Sequence, residues 1–235
     1  MTREELKAVG CNLSAEVHAR LAAFVALLQE ENKHLNLTAA RDDAQLWRRH
    51  ICDSLAALPL LREHGVRRLL DLGSGGGLPG IPLACACPDV QVTLLDATRK
   101  KVGALQRIVT QLGLRNTETV SGRAETHAHE PAYREQFDAV TVRAVAALQV
   151  LIEYAAGFVR PGGQAWFFKT ADGLEDEQAA AEPGARTCRL EYAGVTRYRL
   201  PGETRERVLV LYRKVGALDP DLPRRAGRAS KRPLR

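Results

Sequence analysis

Three kinds of residue in this chain could do chemistry together: a glycine cluster, acids that follow apolar runs, and one arginine at the end of such a run. The cluster is Gly73-Ser74-Gly75-Gly76-Gly77-Leu78-Pro79-Gly80, five glycines in eight residues. Without a Cβ, glycine lets the backbone turn tightly and lets a ligand lie against bare peptide. Pro79 stands where a first helical turn would begin, a position that tolerates its missing N–H. Gly75, Gly77 and Gly80 also satisfy G-x-G-x-x-G, so the cluster by itself reads equally as a dinucleotide fingerprint. Asp96 closes the next apolar run, at the offset of an acid that takes ribose hydroxyls. Ala124-Glu125, Arg143 and Lys169 follow three further runs.

The elements that must position these residues alternate. Val66–Leu72, Gln91–Leu95, Thr117–Ser121, Phe137–Val142 and Gln164–Phe168 read as strands, with helices over Pro79–Cys87, Thr98–Gly113 and Ala146–Val159. Thr98 is a helix cap and Gly113 a C-terminal stop. Such alternation predicts a parallel sheet with helices on both faces. After a helix near Asp172–Ala181 come two β-rich runs, Arg186–Leu200 and Arg207–Arg213, joined by Pro201-Gly202-Glu203. They predict an antiparallel hairpin at the sheet edge. Ahead of the first strand, Ser14 caps an amphipathic helix over residues 13–32, and a second helix runs from Asp42 or Asp43 to Leu58, ended by Pro59. His50 and Asp53 share a face of it. The fold class is therefore α/β: a Rossmann-like, seven-stranded, mostly parallel sheet with an antiparallel C-terminal hairpin, and an N-terminal helical extension. The expected divisions are a helical extension at 1–64, a ligand-binding domain at 65–215 and a basic tail at 216–235.

With 235 residues, the chain can bury a substantial core. No apolar run approaches the ~20 residues needed to span a bilayer. Glu4 and Glu5 near the start argue against a secretory signal. Cys11, Cys52, Cys85, Cys87 and Cys188 are odd in number and contain no C-x-x-C pair, which argues for free thiols, no metal site and a cytoplasmic location. The net charge is +6, and Arg224, Arg225, Arg228, Lys231, Arg232 and Arg235 supply that excess within the last twelve residues. A Pro/Gly/Arg segment buries little apolar surface, so the tail is expected to be disordered and to contact phosphates.

Three features favour S-adenosylmethionine over a nicotinamide cofactor. No second substrate domain remains once the sheet is assigned. Pro161-Gly162-Gly163 makes the turn found before the fifth strand of class I methyltransferases. Ala124-Glu125 is placed to meet an adenine edge. With these residues in view, the chain resembles the glucose-inhibited division protein B family of 16S rRNA methyltransferases. The resemblance runs through Asn36-Leu37-Thr38, His50 with Asp53-Ser54-Leu55, Asp71-Leu72-Gly73-Ser74-Gly75, Leu78-Pro79-Gly80-Ile81-Pro82, Asp96 with Lys100-Lys101, Arg123-Ala124-Glu125, Arg143-Ala144-Val145-Ala146 and Lys169. The family pattern has glycine after that lysine, where this chain has Thr170.

The resemblance implies a class I S-adenosylmethionine-dependent methyltransferase that modifies N7 of a guanine in the 530 loop of 16S rRNA. The partner would be 16S rRNA or a small-subunit assembly particle, with no membrane and one chain acting alone. The cofactor contacts it implies are Gly73, Gly75 and Leu78 on the methionine and sugar side, Asp96, Ala97 and Thr98 at the ribose, and Ala124 with Glu125 at the adenine. Arg143 would stand between cofactor and guanine as the catalytic residue. Asn36, Thr38 and His50 are candidates for the base pocket, where capping and packing also explain them. Lys169, Arg224, Arg225, Arg228, Lys231 and Arg232 are candidates for RNA phosphates. Guanine N7 carries a lone pair and no proton, so no general base is needed, in keeping with the lack of a His or Cys dyad at the strand ends. A methyltransferase acting on another RNA or on a protein, and a non-catalytic nucleotide- or RNA-binding module, also fit these residues.

Overall fold

Apolar residues at helical spacing behind Ser14 form α1, Ala15–Asn32, with Leu21, Phe24, Val25 and Leu28 buried and the Ser14 Oγ accepting the Val17 N–H at 3.2 Å. The computed structural model describes Met1, Leu6 and residues 12–40, 42–143 and 146–235. Cys11 and the pair Ala144-Val145 lie outside the described residues. The second helix differs from expectation. It starts as α2, Asp43–Leu46, widens into a π-turn over Trp47–Ile51, and ends as α3, Cys52–Leu55. Pro59 does not end it. Pro59 opens α4, Leu58–Glu63, where a missing N–H leaves no helical bond unmade.

The strands are β1 Arg68–Leu72, β2 Gln91–Asp96, β3 Thr117–Ser121, β4 Phe137–Arg143, β5 Val159–Thr170, β6 Leu190–Arg199 and β7 Glu206–Lys214. They form one sheet in the order β3-β2-β1-β4-β5-β7-β6. Pairing is parallel from β3 to β5, and β7 runs antiparallel between β5 and β6. The order reverses between β1 and β4, and at such a point the loops after two adjacent strands part and leave a crevice.

Alternation along the strands sends side chains to two apolar layers. Leu69, Val92, Leu94, Ala139 and Trp166 pack on one face with Phe24 and Leu28 of α1, and with Ile81 and Leu105. Those last two belong to α5, Gly80–Ala86, and α6, Arg99–Gln111. Leu70, Leu72, Val140, Val142 and Phe167 face the other layer. There lie α8, Leu148–Ala156, and α9, Leu174–Thr187, preceded in the chain by the short α7, Ala124–His127. The N-terminal helices therefore share one core with the sheet.

The basic tail is not a disordered appendage. Leu218, Leu222 and Ala229 are buried, and α10, Arg228–Lys231, forms near its end. Arg134 donates to the carbonyls of Leu218, Asp219 and Leu222, and Glu135 accepts the Leu218 N–H at 2.8 Å. Arg224 is spent inside the fold: its backbone N–H and its guanidinium both bind the Glu153 carboxylate, which is 1% exposed. The segment holds on by polar contacts to buried groups, which apolar composition does not reveal.

Replacing Arg224 by Met should leave Glu153 buried with only the backbone N–H as partner. The expected loss is about 2–4 kcal/mol of unfolding free energy, measured by denaturant titration. A loss below about 0.5 kcal/mol would show that the tail is merely resting on the domain.

Candidate functional site

The floor of the crevice is the loop from Gly73 to Gly77, which leaves β1 and enters α5. Asp71 organises it from below. This carboxylate is 1% exposed, accepts the Gly80 N–H at 2.9 Å on Oδ2, and takes the Thr141 hydroxyl at 3.3 Å on Oδ1. Burial, opposed by the Gly80 N–H, raises the Asp71 pKa to about 6. A Cβ at Gly80 would strike Leu94 and Asp71, so only glycine lets α5 begin this close to the sheet.

Asp96, at the tip of β2, ties the loop from the side. Its Oδ2 accepts the Gly75 N–H at 3.0 Å and its Oδ1 the Thr98 N–H at 2.7 Å. Each oxygen keeps a lone pair for a further donor. Two hollows meet at Gly73, Asp96 and Ala97. The larger, about 410 Å³, is lined by Thr38, His50, Gly75, Leu78, Lys101 and Arg143 among others. The smaller, about 110 Å³, lies against Ala124, Glu125 and Tyr154. Glu125 is nearly buried and accepts the Gly227 N–H of the tail at 2.8 Å. Burial and then the charge of Glu125 raise the Tyr154 pKa.

On the far side of the larger hollow, Arg143 closes β4 and is fixed at two points. Its Nη1 donates to Asp53 Oδ2 at 2.8 Å and its Nη2 lies 2.9 Å from His50 Nδ1. Asp53 is 2% exposed and also accepts from the Tyr198 hydroxyl at 2.7 Å and from Arg207 Nη1 at 3.4 Å. His50 Nε2 lies 2.9 Å from Thr38 Oγ1. Burial and then the Arg143 charge lower the His50 pKa to about 4, so the ring is neutral at pH 7. Burial and the Asp53 charge raise that of Tyr198, which stays a donor.

Gly73, Gly75, Leu78, Asp96, Ala97, Ala124, Glu125, Thr38, His50 and Arg143 thus line one continuous cleft. Others do not. Thr98 makes no side-chain cap and lines neither hollow; its N–H supports Asp96 instead. Asn36 is exposed, and the asparagine that holds the Leu37-Thr38 turn is Asn32, through bonds to both N–H groups and to the Thr38 carbonyl. Lys169 pairs with Glu177 at 2.7 Å and donates to the Ala146 carbonyl at 3.1 Å, so it anchors the chain beyond β4 rather than standing free for phosphate. Arg224 is committed to Glu153, whereas Arg225, Arg228, Lys231 and Arg232 are exposed. Sequence reasoning missed Asn32, Tyr198, Arg207 and Gly227. An acid one turn from a motif histidine was the signal available for the partners of Asp53, and none existed for Gly227.

The family model described as rRNA small subunit methyltransferase G matches residues 17–204. A protein of that name from Carboxydothermus hydrogenoformans is 36% identical over 96% of this chain and 95% of its own length. One from Deinococcus deserti is 38% identical over 94% of this chain and 90% of its own. Among solved structures, an O-methyltransferase from Bacillus cereus in complex with SAH covers 82% of this chain and 91% of its own, with a TM-score of 0.58 at 19% identity. That likeness is one of fold.

Asp71 has a folded-state pKa above its ordinary value, so the stability it contributes is present in acid and fades as pH rises through about 6. Asp71→Asn does not titrate. Relative to the parent it should gain up to about 3 kcal/mol between pH 4 and pH 7.5, read from denaturant unfolding at both. A constant difference would mean that Asp71 is ionised throughout.

Proposed function

The chain belongs to the rRNA small subunit methyltransferase G family, and from that premise we propose that it transfers the methyl group of S-adenosylmethionine to N7 of a guanine in the 530 loop of 16S rRNA. The observation that carries this reading is the convergence of bare peptide, Asp96 with lone pairs to spare, and an anchored Arg143 on one cleft.

The cleft suits the donor in shape and chemistry. The Gly73–Gly76 peptide and Leu78 would hold the methionine and sugar, the free lone pairs of Asp96 the ribose hydroxyls, and the smaller hollow at Ala97, Ala124 and Glu125 the adenine. When bound, the donor supplies an electrophilic methyl group on a sulfonium. Asp53, Asp71 and the Nδ1 of His50 all accept hydrogen bonds inside the protein, so among the described residues of the larger hollow Asp96 is the one carboxylate with lone pairs to spare, and the ribose hydroxyls would take those. A nucleophile that carries no proton, such as guanine N7, needs no base. Catalysis then comes from alignment and exclusion of water, a contribution of up to roughly 7–11 kcal/mol. Arg143 spends two N–H donors on Asp53 and His50 and keeps others for an anionic group of the donor or the RNA. Arg225, Arg228, Lys231 and Arg232 extend the basic surface from the tail, in support of contact with RNA phosphates. Such a protein works in the cytoplasm, on free 16S rRNA or an assembling subunit, as a single chain.

Incubation with donor carrying a tritiated methyl should label 16S rRNA from cells lacking the protein, at one guanine mapped by loss of N7-unmodified signal. Arg143→Ala should reduce transfer at least about 100-fold. Arg143→Lys, which keeps the charge and loses the fork, should not restore it. Labelling of another RNA or of a protein would redirect the substrate, and no labelling at all would leave a binding module.

Replacing Arg225, Arg228, Lys231 and Arg232 together by Gln, with Arg224 kept, should weaken RNA binding at low salt. The slope of log K against log salt should fall by roughly 0.7 for each phosphate that the variant no longer neutralises. An unchanged slope would remove the tail from the interface.

A further inference from the structure

Hydrogen bonds from Asp53 to Thr38 run in one direction only. The guanidinium of Arg143 has N–H donors and no acceptor, so the His50 Nδ1 that faces its Nη2 at 2.9 Å must accept. The proton of the neutral ring then sits on Nε2, which donates to Thr38 Oγ1 at 2.9 Å. The Ala40 N–H donates to the same oxygen at 3.1 Å. Both lone pairs of the Thr38 hydroxyl are thereby filled, and its own proton must point elsewhere. Thr38 lines the larger hollow together with Arg143 and the glycine loop. Its backbone cannot swing away, because Asn32 holds its N–H at 2.9 Å and its carbonyl at 3.0 Å.

We infer that Thr38 is a specificity-determining residue whose hydroxyl, fixed as a donor by the Asp53–Arg143–His50 relay, binds the O6 carbonyl of the guanine presented for methylation. This rests on the guanine-N7 reading above and adds to it how the base is chosen. N7 and O6 lie side by side on one edge of guanine, both acceptors. Adenine carries an amino group where guanine carries O6. That group would meet a hydroxyl whose lone pairs are both occupied, and two donors would face each other unpaired. The relay makes Thr38 a reader rather than an amphoteric contact, since a free threonine hydroxyl could turn to serve either base.

The test uses the full chain and 16S rRNA ligated to carry guanine, inosine or 2-aminopurine at the target position, as free RNA and in small-subunit particles. Inosine keeps N7 and O6, whereas 2-aminopurine keeps N7 and lacks O6. The parent should methylate inosine within about threefold of guanine and 2-aminopurine at least about tenfold more slowly. Thr38→Val should bring the guanine to 2-aminopurine ratio within about threefold, and Thr38→Ser should retain it. Comparing ratios cancels the intrinsic difference in N7 reactivity. A parental ratio in Thr38→Val overturns the assignment. Nitrogen NMR of labelled histidines provides a measurement independent of turnover: His50 neutral with the proton on Nε2 at pH 7 supports the relay, and a proton on Nδ1 overturns it. If the parent methylates none of the RNAs, the functional reading fails and this one with it. The NMR result then still shows whether the relay exists.

Discussion

A buried carboxylate, Asp53, holds the site together. An ionised acid taken out of water must be met by donors, and those donors come here from three distant stretches: Arg143 at the tip of β4, Tyr198 on β6 and Arg207 on β7. The acid itself belongs to α3, in the N-terminal extension. One side chain therefore docks the extension and the C-terminal hairpin onto the strand end that carries the arginine. The extension and the hairpin are parts of the site, because without them Arg143 would be an exposed, rotamer-rich side chain with an entropic cost to every contact it made.

Order propagates from that pair in both directions. Toward the cleft, it sets the protonation of His50 and, through it, the direction in which Thr38 donates. Toward the sheet, Asp71 plays the matching part for the glycine loop, accepting the Gly80 N–H at the start of α5. Both acids act on the ligand site without standing free in it. The cleft is consequently rich in fixed donors and poor in free bases, the arrangement suited to a nucleophile that arrives without a proton.

The tail shows where composition misleads. Arginine, proline and glycine with few apolar residues indicate a chain that cannot hide enough surface to fold by itself, and in isolation that inference is sound. Here the segment has a partner surface already built. Glu153 offers a buried charge, Arg134 a fork for three tail carbonyls, and Glu125 an acceptor for the Gly227 N–H. The folded domain supplies the binding energy that the segment lacks. The smaller hollow is walled by a residue, Glu125, whose carboxylate the tail also holds.

Local signals determined much of this protein by themselves. Five apolar runs alternating with helices, a glycine cluster directly behind the first of them and an acid at the end of the second imply a parallel sheet with a ligand crevice at its strand tips, since period and turn chemistry act over a few residues. Strand positions agree to within a few residues for that reason, except that β5 begins at Val159 and runs with a register shift through Pro161-Gly162-Gly163, which the local signal reads as a turn ahead of a strand at Gln164. Pro59 defeats the same local logic, because a proline bars helix only in its interior, and whether it ends one helix or starts the next depends on the chain around it. The pairing of Asp53 with Arg143, Tyr198 and Arg207, the choice of Asn32 over Asn36 as the turn's clamp, and the docking of Arg224 on Glu153 belong to tertiary structure alone. Each joins groups whose proximity follows from how the sheet closes and the helices pack, and an unsatisfied buried charge has no preferred partner until that packing brings one within reach.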